Sequence, residues 1–262
     1  MTTDSKVLAI IPARLGSTRL ERKPLKMISG KSLIQRVWEQ ASSCELVSKT
    51  LVATDSQEIV DHVSSFGGEA VLTSEAIPTG TERVYAASKV CGGQWDCIVN
   101  VQGDMPFLPG RAIEAAVSQI LSSDVGFDMT TVATPLISEQ EFISPSNVKV
   151  VFKPNCEAIY FSRAPIPHSR DGKRLEFGGE EVFGFKHMGL YVFTPKALER
   201  FSTLTSSALE SVEMLEQLRA LEDGLKIGLA VLESRDLPPS VEVDTPDDLA
   251  RAEEIAGRID KK

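Results

Sequence analysis

The stretch Val7-Leu8-Ala9-Ile10-Ile11-Pro12-Ala13-Arg14-Leu15-Gly16-Ser17-Thr18-Arg19-Leu20-Glu21-Arg22-Lys23-Pro24-Leu25 begins apolar and then turns cationic. Its first five residues carry no polar side chain, the pattern of a strand buried on both faces. The loop that follows holds Arg14, Arg19, Arg22 and Lys23, with Gly16, Ser17 and Thr18 among them. In α/β proteins ligands sit beyond the carboxyl ends of the strands, and a cationic loop of small residues there suits a polyphosphate. A solvated basic turn would look the same in isolation. The first 31 residues hold seven Lys or Arg against two acids, a local +5 in a chain of net charge −9, so the remainder carries −14. The cluster therefore runs against the overall sign.

The rest of the chain extends an α/β reading. Ser32 is placed as an N-cap with Gln35 three residues on, ahead of a helical stripe of Leu33, Ile34, Val37, Trp38 and Ala41. Gly30-Lys31-Ser32 resembles the tail of a Walker A loop, but Leu25 stands where that motif needs glycine. Thr50 to Ala53 reads as a second buried strand ending at Asp55, which, with Glu58, suggests a helix start over Ile59 to Val63 closed by Gly67-Gly68. Ala70 to Leu72 is a third short strand. Thr79 and Glu82 then form a capping box for a helix through Val84 and Ala87, and Thr79, Gly80 and Thr81 at its start either cap it or offer N–H groups to a ligand. Ile98 to Val101 is the next buried strand. Gln102-Gly103-Asp104 leaves its carboxyl end, and an aspartate on a glycine turn at that edge suits Mg²⁺.

After a helix over about Pro109 to Ser122 the rhythm becomes mostly β, with strands at Met129–Thr134, Val148–Phe152, Ala158–Phe161 and His187–Phe193. Pro165 to Phe185 reads as a polar loop or flap, Pro195 to Phe201 begins a helix, and Leu209 to Leu221 reads as one more helix. In that last helix Val212, Leu215, Leu218 and Leu221 face inward, and Glu213, Glu216 and Gln217 form a solvated face. His187 and Tyr191 share a face of their strand. Near the end, Thr245, Pro246 and Asp248 make a capping box for the final helix, leaving Asp244 outside it as a second magnesium carboxylate. The implied class is α/β, a mostly parallel sheet with helices on both faces and a smaller β-rich lobe.

Composition narrows the options. With 42% apolar and 25% charged residues the chain is an ordinary globular one, long enough for a single large α/β domain. Acidic balance argues against nucleic acid or membrane surfaces as partners. No run of eighteen apolar residues and no secretory leader pattern stands in the sequence, which implies a cytoplasmic protein. Four cysteines without C-x-x-C spacing and three scattered histidines argue against a structural zinc site or a disulfide framework.

Taken together, the segments resemble the 3-deoxy-manno-octulosonate cytidylyltransferases, or CMP-Kdo synthetases. The matching words are P-A-R-L-G-S-T-R-L-x-x-K-P-L (Pro12–Leu25), V-A-T-D (Val52–Asp55), T-G-T-E-R (Thr79–Arg83), N-V-Q-G-D (Asn100–Asp104) and V-K-V-V (Val148–Val151). Y-F-S-R-A-x-I-P (Tyr160–Pro167), H-M-G-L-Y (His187–Tyr191), E-M-L-E-Q-L-R-A-L-E (Glu213–Glu222) and V-D-T-P-D-D-L (Val243–Leu249) complete them. Two departures stand out. The family usually has Pro-Gly where this chain has Glu21-Arg22, which bears on loop flexibility and triphosphate affinity. It usually has Glu where this chain has Met105, which removes a carboxylate near the metal.

The resemblance implies a Rossmann-like fold of the nucleotide-diphospho-sugar transferase kind in one domain, 1–262. Roughly 1–125 would be the nucleotide-binding half and roughly 126–235 the sugar-binding and dimerisation part, with 236–262 as the metal turn and returning helix. It implies transfer of CMP from CTP to the 2-hydroxyl of Kdo, with release of diphosphate, in lipopolysaccharide biosynthesis. Arg14, Arg19 and Lys23 would hold the triphosphate, Asp104 and Asp244 the Mg²⁺, and Pro12, Ala13, Thr79, Gly80, Thr81 and Arg83 the nucleotide. Gln102, Arg163, His187, Tyr191, Glu216 and Gln217 would meet the sugar, with Arg163 on its carboxylate, and the enzyme would be a homodimer. Competing readings are the same reaction on the 8-amino analogue or another acidic sugar, an NAD(P) oxidoreductase, which lacks its G-x-G-x-x-G fingerprint here, and a non-catalytic nucleotide binder.

Overall fold

A computed structural model describes residues 5–16, 19–233 and 241–260. Ser17 and Thr18 of the first loop, and Asp4, lie outside the described residues. The chain divides into two compact units, Thr2–Glu114 with Pro238–Lys262, and Ala115–Leu237.

The first unit is built on β1 (Val7–Ala13), whose Leu8, Ala9, Ile10 and Ile11 are fully buried. A two-strand hairpin follows, β2 (Met27–Ile28) and β3 (Lys31–Ser32), turned through Ser29 and Gly30, both at positive φ. Ser32 then caps α1 (Leu33–Ser42), accepting from the Gln35 N–H at 3.2 Å, and the helix buries Leu33, Ile34, Val37 and Ala41. Next come β4 (Lys49–Thr54), α2 (Gln57–Ser65), β5 (Glu69–Leu72), α3 (Gly80–Cys91) and β6 (Cys97–Asn100). All four long strands of this unit are parallel, in the order β6-β1-β4-β5. Right-handed crossovers place α1 and α2 on one face and α3 on the other. The strand order reverses between β1 and β6, and that switch point is where a ligand crevice opens in such sheets.

The boundary between the units falls within α4 (Gly110–Ser122). In the second unit β7 (Met129–Leu136) is followed by α5 (Glu139–Ile143), β8 (Lys149–Phe152), β9 (Ala158–Ser162), β10 (Leu175–Phe177), β11 (Glu180–Val182) and β12 (Gly184–Phe193). Then come α6 (Pro195–Thr203), α7 (Ala208–Glu213), α8 (Gln217–Glu222) and β13 (Ile227–Val231). β7 lies between parallel β13 and antiparallel β12, and β12, β8 and β9 continue antiparallel. After this β-rich unit, the first is completed by α9 (Pro246–Ile259), started by the Thr245–Asp248 capping box.

Three local expectations need correction. The segment 165–185 is not loop throughout: β10 and β11 form a hairpin around Gly178-Gly179, whose positive φ values match the tight turn that two glycines permit. Asp55 does not start α2; Ser56 stands at the N-cap and Asp55 pairs with Arg83 instead. The single helix expected over Leu209–Leu221 is two, α7 and α8, because Met214 takes a left-handed φ of 55° between them. Val212 is then 83% exposed rather than inward, and Gln217 is 2% exposed rather than solvated.

Among the described residues no helix is long and apolar enough to cross a membrane. All four cysteines are free thiols.

Candidate active site

The carboxyl ends of β1 and β6 open into a cavity of about 400 Å³ in the first unit. Its wall includes Pro12, Ala13, Arg14, Gly16, Arg19, Lys23, Gly80, Arg83, Gln102, Gly103, Asp104 and Asp244. Chain geometry explains why these side chains meet. The turn after β6 presses directly onto the end of β1: a Cβ on Gly103 would lie 2.8 Å from the Pro12 carbonyl, so only glycine fits. The Val243 N–H donates to the Asp104 carbonyl at 2.9 Å, stitching the turn before α9 to the turn after β6. Two aspartates far apart in sequence therefore face one another.

Between them sits the Lys23 ammonium. Its Nζ lies 3.0 Å from Asp104 Oδ2 and 2.9 Å from Asp244 Oδ1, and an Arg19 Nη2 lies 3.1 Å from the other Asp244 oxygen. Burial works to lower the Lys23 pKa, but Asp104 and Asp244 together outweigh it and hold the group above the ordinary lysine value. Lys23 opens a short 3-10 turn (Lys23–Leu25) whose Pro24 is buried, and the loop before it is anchored by buried Leu20.

Two converging carboxylates around a cation make a donor set that fits Mg²⁺, which takes one or two protein carboxylates and fills its shell with water and phosphate oxygens. The lysine ammonium is the stand-in that shows this point in the fold is built for positive charge. Among the described residues no group of three or more His, Cys, Asp or Glu is placed for a metal, so an all-protein cage is not formed there.

The T-G-T-E-R segment divides its work. Gly80 and Arg83 reach the cavity wall, with Gly80 close against the Pro12 ring. Thr79 caps α3, accepting from the Glu82 N–H at 3.2 Å, and fully buried Thr81 accepts from Asn100 Nδ2 at 3.0 Å. Arg83 is 1% exposed, donating to Asp55 at 3.0 Å and to the Thr73 hydroxyl at 2.5 Å. Burial lowers its pKa, Asp55 opposes that, and nearby Arg14 adds to the lowering.

The remaining predicted residues belong to the second unit. Tyr191 donates its hydroxyl to Gln217 Oε1 at 2.9 Å, and the His187 and Tyr191 rings lie 5.4 Å apart. His187 Nε2 lies 2.9 Å from the Thr131 hydroxyl, which also reaches the Met188 and Leu190 carbonyls inside a bulge of β12. Since that hydroxyl has one proton and two carbonyl acceptors, Nε2 is assigned as the donor to it. Burial pushes the His187 pKa down to about 3, so the ring is neutral. The Arg163 guanidinium turns to main-chain carbonyls, from Nε to Glu213 at 2.8 Å and from Nη1 to Pro145 at 3.0 Å. Glu216 stands at the start of α8.

The comparisons decide the family. Residues 8–227 match the sequence pattern of the family described as Cytidylyltransferase. A 3-deoxy-manno-octulosonate cytidylyltransferase from Desulfatibacillum aliphaticivorans is 46% identical over 252 residues, 95% of this chain and 98% of that one. An 8-amino-3,8-dideoxy-manno-octulosonate cytidylyltransferase from Shewanella sp. (strain W3-18-1) is 39% identical over 249 residues, 95% of this chain and 97% of that one. A solved structure, CMP:2-keto-3-deoxy-manno-octonic acid synthetase complexed with CTP, is similar at a TM-score of 0.86 and 34% identity, over 97% of this chain and 99% of that one. The chain belongs to the 3-deoxy-manno-octulosonate cytidylyltransferase family.

Membership clarifies the two departures. Arg22 stands where this family usually has glycine, and its backbone holds φ 55°, the left-handed region that glycine enters freely. Its guanidinium pairs with Glu58 of α2, a contact glycine could not make. Met105, where the cytidylyltransferases of this family usually have Glu, is 5% exposed, with its side chain in the core.

Sequence reasoning missed three residues that shape the site: Asp55, which fixes Arg83; Gly103, which lets the aspartate turn approach β1; and Lys149. Lys149 is fully buried and donates to the carbonyls of Ser144, Asn147 and Arg163, binding the Arg163 turn to β8. Asp55 and Gly103 lay inside the family words V-A-T-D and N-V-Q-G-D, and Lys149 inside V-K-V-V.

Proposed function

We propose that this nucleotidyltransferase joins CTP to 3-deoxy-manno-octulosonate (Kdo), forming CMP-Kdo and diphosphate for lipopolysaccharide biosynthesis in the cytoplasm. The observation that carries it is the convergence of Arg19 and Lys23 on Asp104 and Asp244 at the β1/β6 switch point, lined also by Arg14. The CTP named with the similar solved structure, and the Kdo in the relatives' names, supply the substrates.

The sugar's 2-hydroxyl oxygen forms a bond to the α-phosphorus as the bond to the bridging oxygen of the departing diphosphate breaks, in line, and the hydroxyl proton passes to solvent water. Arg14, Arg19 and Lys23 hold the triphosphate and stabilise charge on departing diphosphate. Gly80, Pro12 and Ala13 give the nucleoside a close main-chain wall, and Arg83, held by Asp55, is set at its edge. Asp104 and Asp244 would hold Mg²⁺, which when bound neutralises phosphate charge and acidifies the sugar hydroxyl. Because the reaction needs little covalent participation from protein, positioning and charge neutralisation carry it. By resemblance to the family, the residues proposed for the sugar hydroxyls are Gln102 in the first unit and, in the second, His187, Tyr191, Glu216 and Gln217. Arg163 meets the sugar carboxylate with the guanidinium N–H groups left over from the carbonyls it braces.

The homodimer is proposed to form through the second unit, whose Ile159, Val212 and Met214 are 55%, 83% and 75% exposed. Light scattering would return twice the 28.5 kDa chain mass, and a monomer at micromolar concentration would rule this out.

A second reading, the 8-amino analogue as acceptor, is favoured by the 39% identity with the Shewanella enzyme. Diphosphate release with CTP, Mg²⁺ and each sugar separates the two. Turnover with Kdo is expected; release with the amino sugar alone would transfer the assignment, and release with neither would remove it.

A further inference from the structure

Lys23 lies between the two carboxylates assigned to the metal. Its ammonium is within hydrogen-bond distance of both carboxylates, and it lies on the cavity wall beside Arg19, which engages the outer oxygen of Asp244. A divalent ion at the same two oxygens would stand within a few ångströms of Nζ, and two cations at that separation repel in a partly buried cleft. One of the two must leave. A flexible four-carbon stem lets Lys23 do so, and a triphosphate in the cavity gives its ammonium somewhere to go.

We propose that Lys23 is an exchangeable internal counter-ion: it neutralises Asp104 and Asp244 while the nucleotide is absent, and moves onto the triphosphate when metal and CTP enter together. This rests on the assignment of Asp104 and Asp244 as metal carboxylates. Metal and nucleotide binding are then positively coupled through one side chain. Metal alone must displace Lys23 into water, and nucleotide alone must draw Lys23 away and leave two facing carboxylates bare. Entry of both leaves neither charge unpaired. Linkage makes the effect reciprocal, so CTP tightens the metal by the same factor as the metal tightens CTP. Arg19 shares the duty at Asp244 only, so it is Lys23, touching both acids, that sets the coupling.

The test reads metal binding directly. Mn²⁺ is titrated into the full-length protein and the free-ion electron paramagnetic resonance signal is followed. The titration is repeated with a CTP analogue carrying a methylene bridge between the α and β phosphorus atoms, which cannot turn over. The wild type should bind Mn²⁺ weakly alone and about tenfold more tightly with the analogue, in the usual range of coupled sites. Lys23→Met should bind Mn²⁺ alone about tenfold more tightly than the wild type, with the analogue adding little further, so that the coupling collapses. Lys23→Gln, which keeps a polar tip, should behave the same way.

Equal or weaker Mn²⁺ binding by both variants without the analogue overturns the exchange, as does undiminished coupling. Asp104→Asn and Asp244→Asn keep the two readings apart. If they leave Mn²⁺ affinity unchanged, the carboxylate assignment is wrong and the exchange falls with it. If they abolish Mn²⁺ binding while Lys23→Met binds no more tightly than wild type, the carboxylate assignment stands and only the exchange is lost.

Discussion

Arg163 and Glu213 hold each other through main chain and side chain at once. Arg163 Nε donates to the Glu213 carbonyl at 2.8 Å, and the Glu213 carboxylate accepts from the Arg163 N–H at 2.9 Å and the Ser162 hydroxyl at 2.5 Å. The guanidinium thereby takes a carbonyl at the end of α7 that helix geometry leaves unsatisfied. It fixes the break that brings buried Gln217 against Tyr191. Arg163→Lys keeps the charge but loses the planar fork. Expected are a rise of about tenfold in KM for the sugar with kcat less affected, and a fall in melting temperature of about 2–6 °C, as one or two lost hydrogen bonds imply. Steady-state kinetics and thermal melts check this; an unchanged sugar KM would mean that the break does not position the sugar site.

Arg22 gives a sharper stability test. A residue with a Cβ costs about 1–2 kcal/mol in the left-handed region, and the Arg22–Glu58 pair, half exposed, returns less than about 1 kcal/mol. Arg22→Gly should therefore be at least as stable as the wild type, and Arg22→Ala less stable than Arg22→Gly by about 1 kcal/mol, the reverse of the order in a helix. Urea unfolding of the three proteins decides it. Alanine as stable as glycine would mean that the backbone there is not left-handed.

Much of this arrangement was legible because it is local. Ser32, Thr79 and Thr245 announce helix starts, buried β1 shows itself by its apolar run, Asp104 stands on the turn after β6, and Asp244 stands just before the N-cap of α9. What could not be read depends on partners distant in sequence. Met214 breaks a well-patterned helix because Arg163, just past the end of β9, supports the break. Asp55 looks like a cap until Arg83, 28 residues on, claims it. Nothing local to Lys149 signals that three carbonyls from two turns surround its ammonium. The Gly178-Gly179 hairpin is different: its signal is local, but the polar residues around it read as loop.

His187 should make the protein acid-sensitive. Its folded pKa, pushed by burial to about 3, lies below the ordinary value of about 6.5 in the unfolded chain. Between these values the unfolded chain binds a proton that the folded one refuses, so stability is full above pH about 6.5 and falls as pH drops toward 3. The slope approaches 1.4 kcal/mol per pH unit, about 2 kcal/mol between pH 7 and 5. His187→Gln should be less stable at pH 7 but lose about 2 kcal/mol less on acidification. Urea titrations at the two pH values measure the difference; parallel losses in both proteins would show that His187 accepts its proton without unfolding.

Gly103 concerns catalysis. A methyl group there would lie 2.8 Å from the Pro12 carbonyl, a main-chain atom of β1 that is held in register with Ala53 of β4 and has little room to give way. The turn itself must shift, and the Asp104 carbonyl bonded to Val243 carries the Asp244 turn with it. Both carboxylates then move relative to Arg19 and Lys23, and a displacement near an ångström is enough to cost about a hundredfold in rate. Gly103→Ala is accordingly expected to lower kcat/KM about a hundredfold while the protein still melts cooperatively. Gly257→Ala is the companion: no atom lies within 4 Å of its added Cβ, it stands in α9, and it should keep full turnover while gaining up to about 1 kcal/mol from helix propensity. Near-normal turnover in Gly103→Ala would mean that the distance between the aspartate turn and β1 does not set the geometry of the reacting groups.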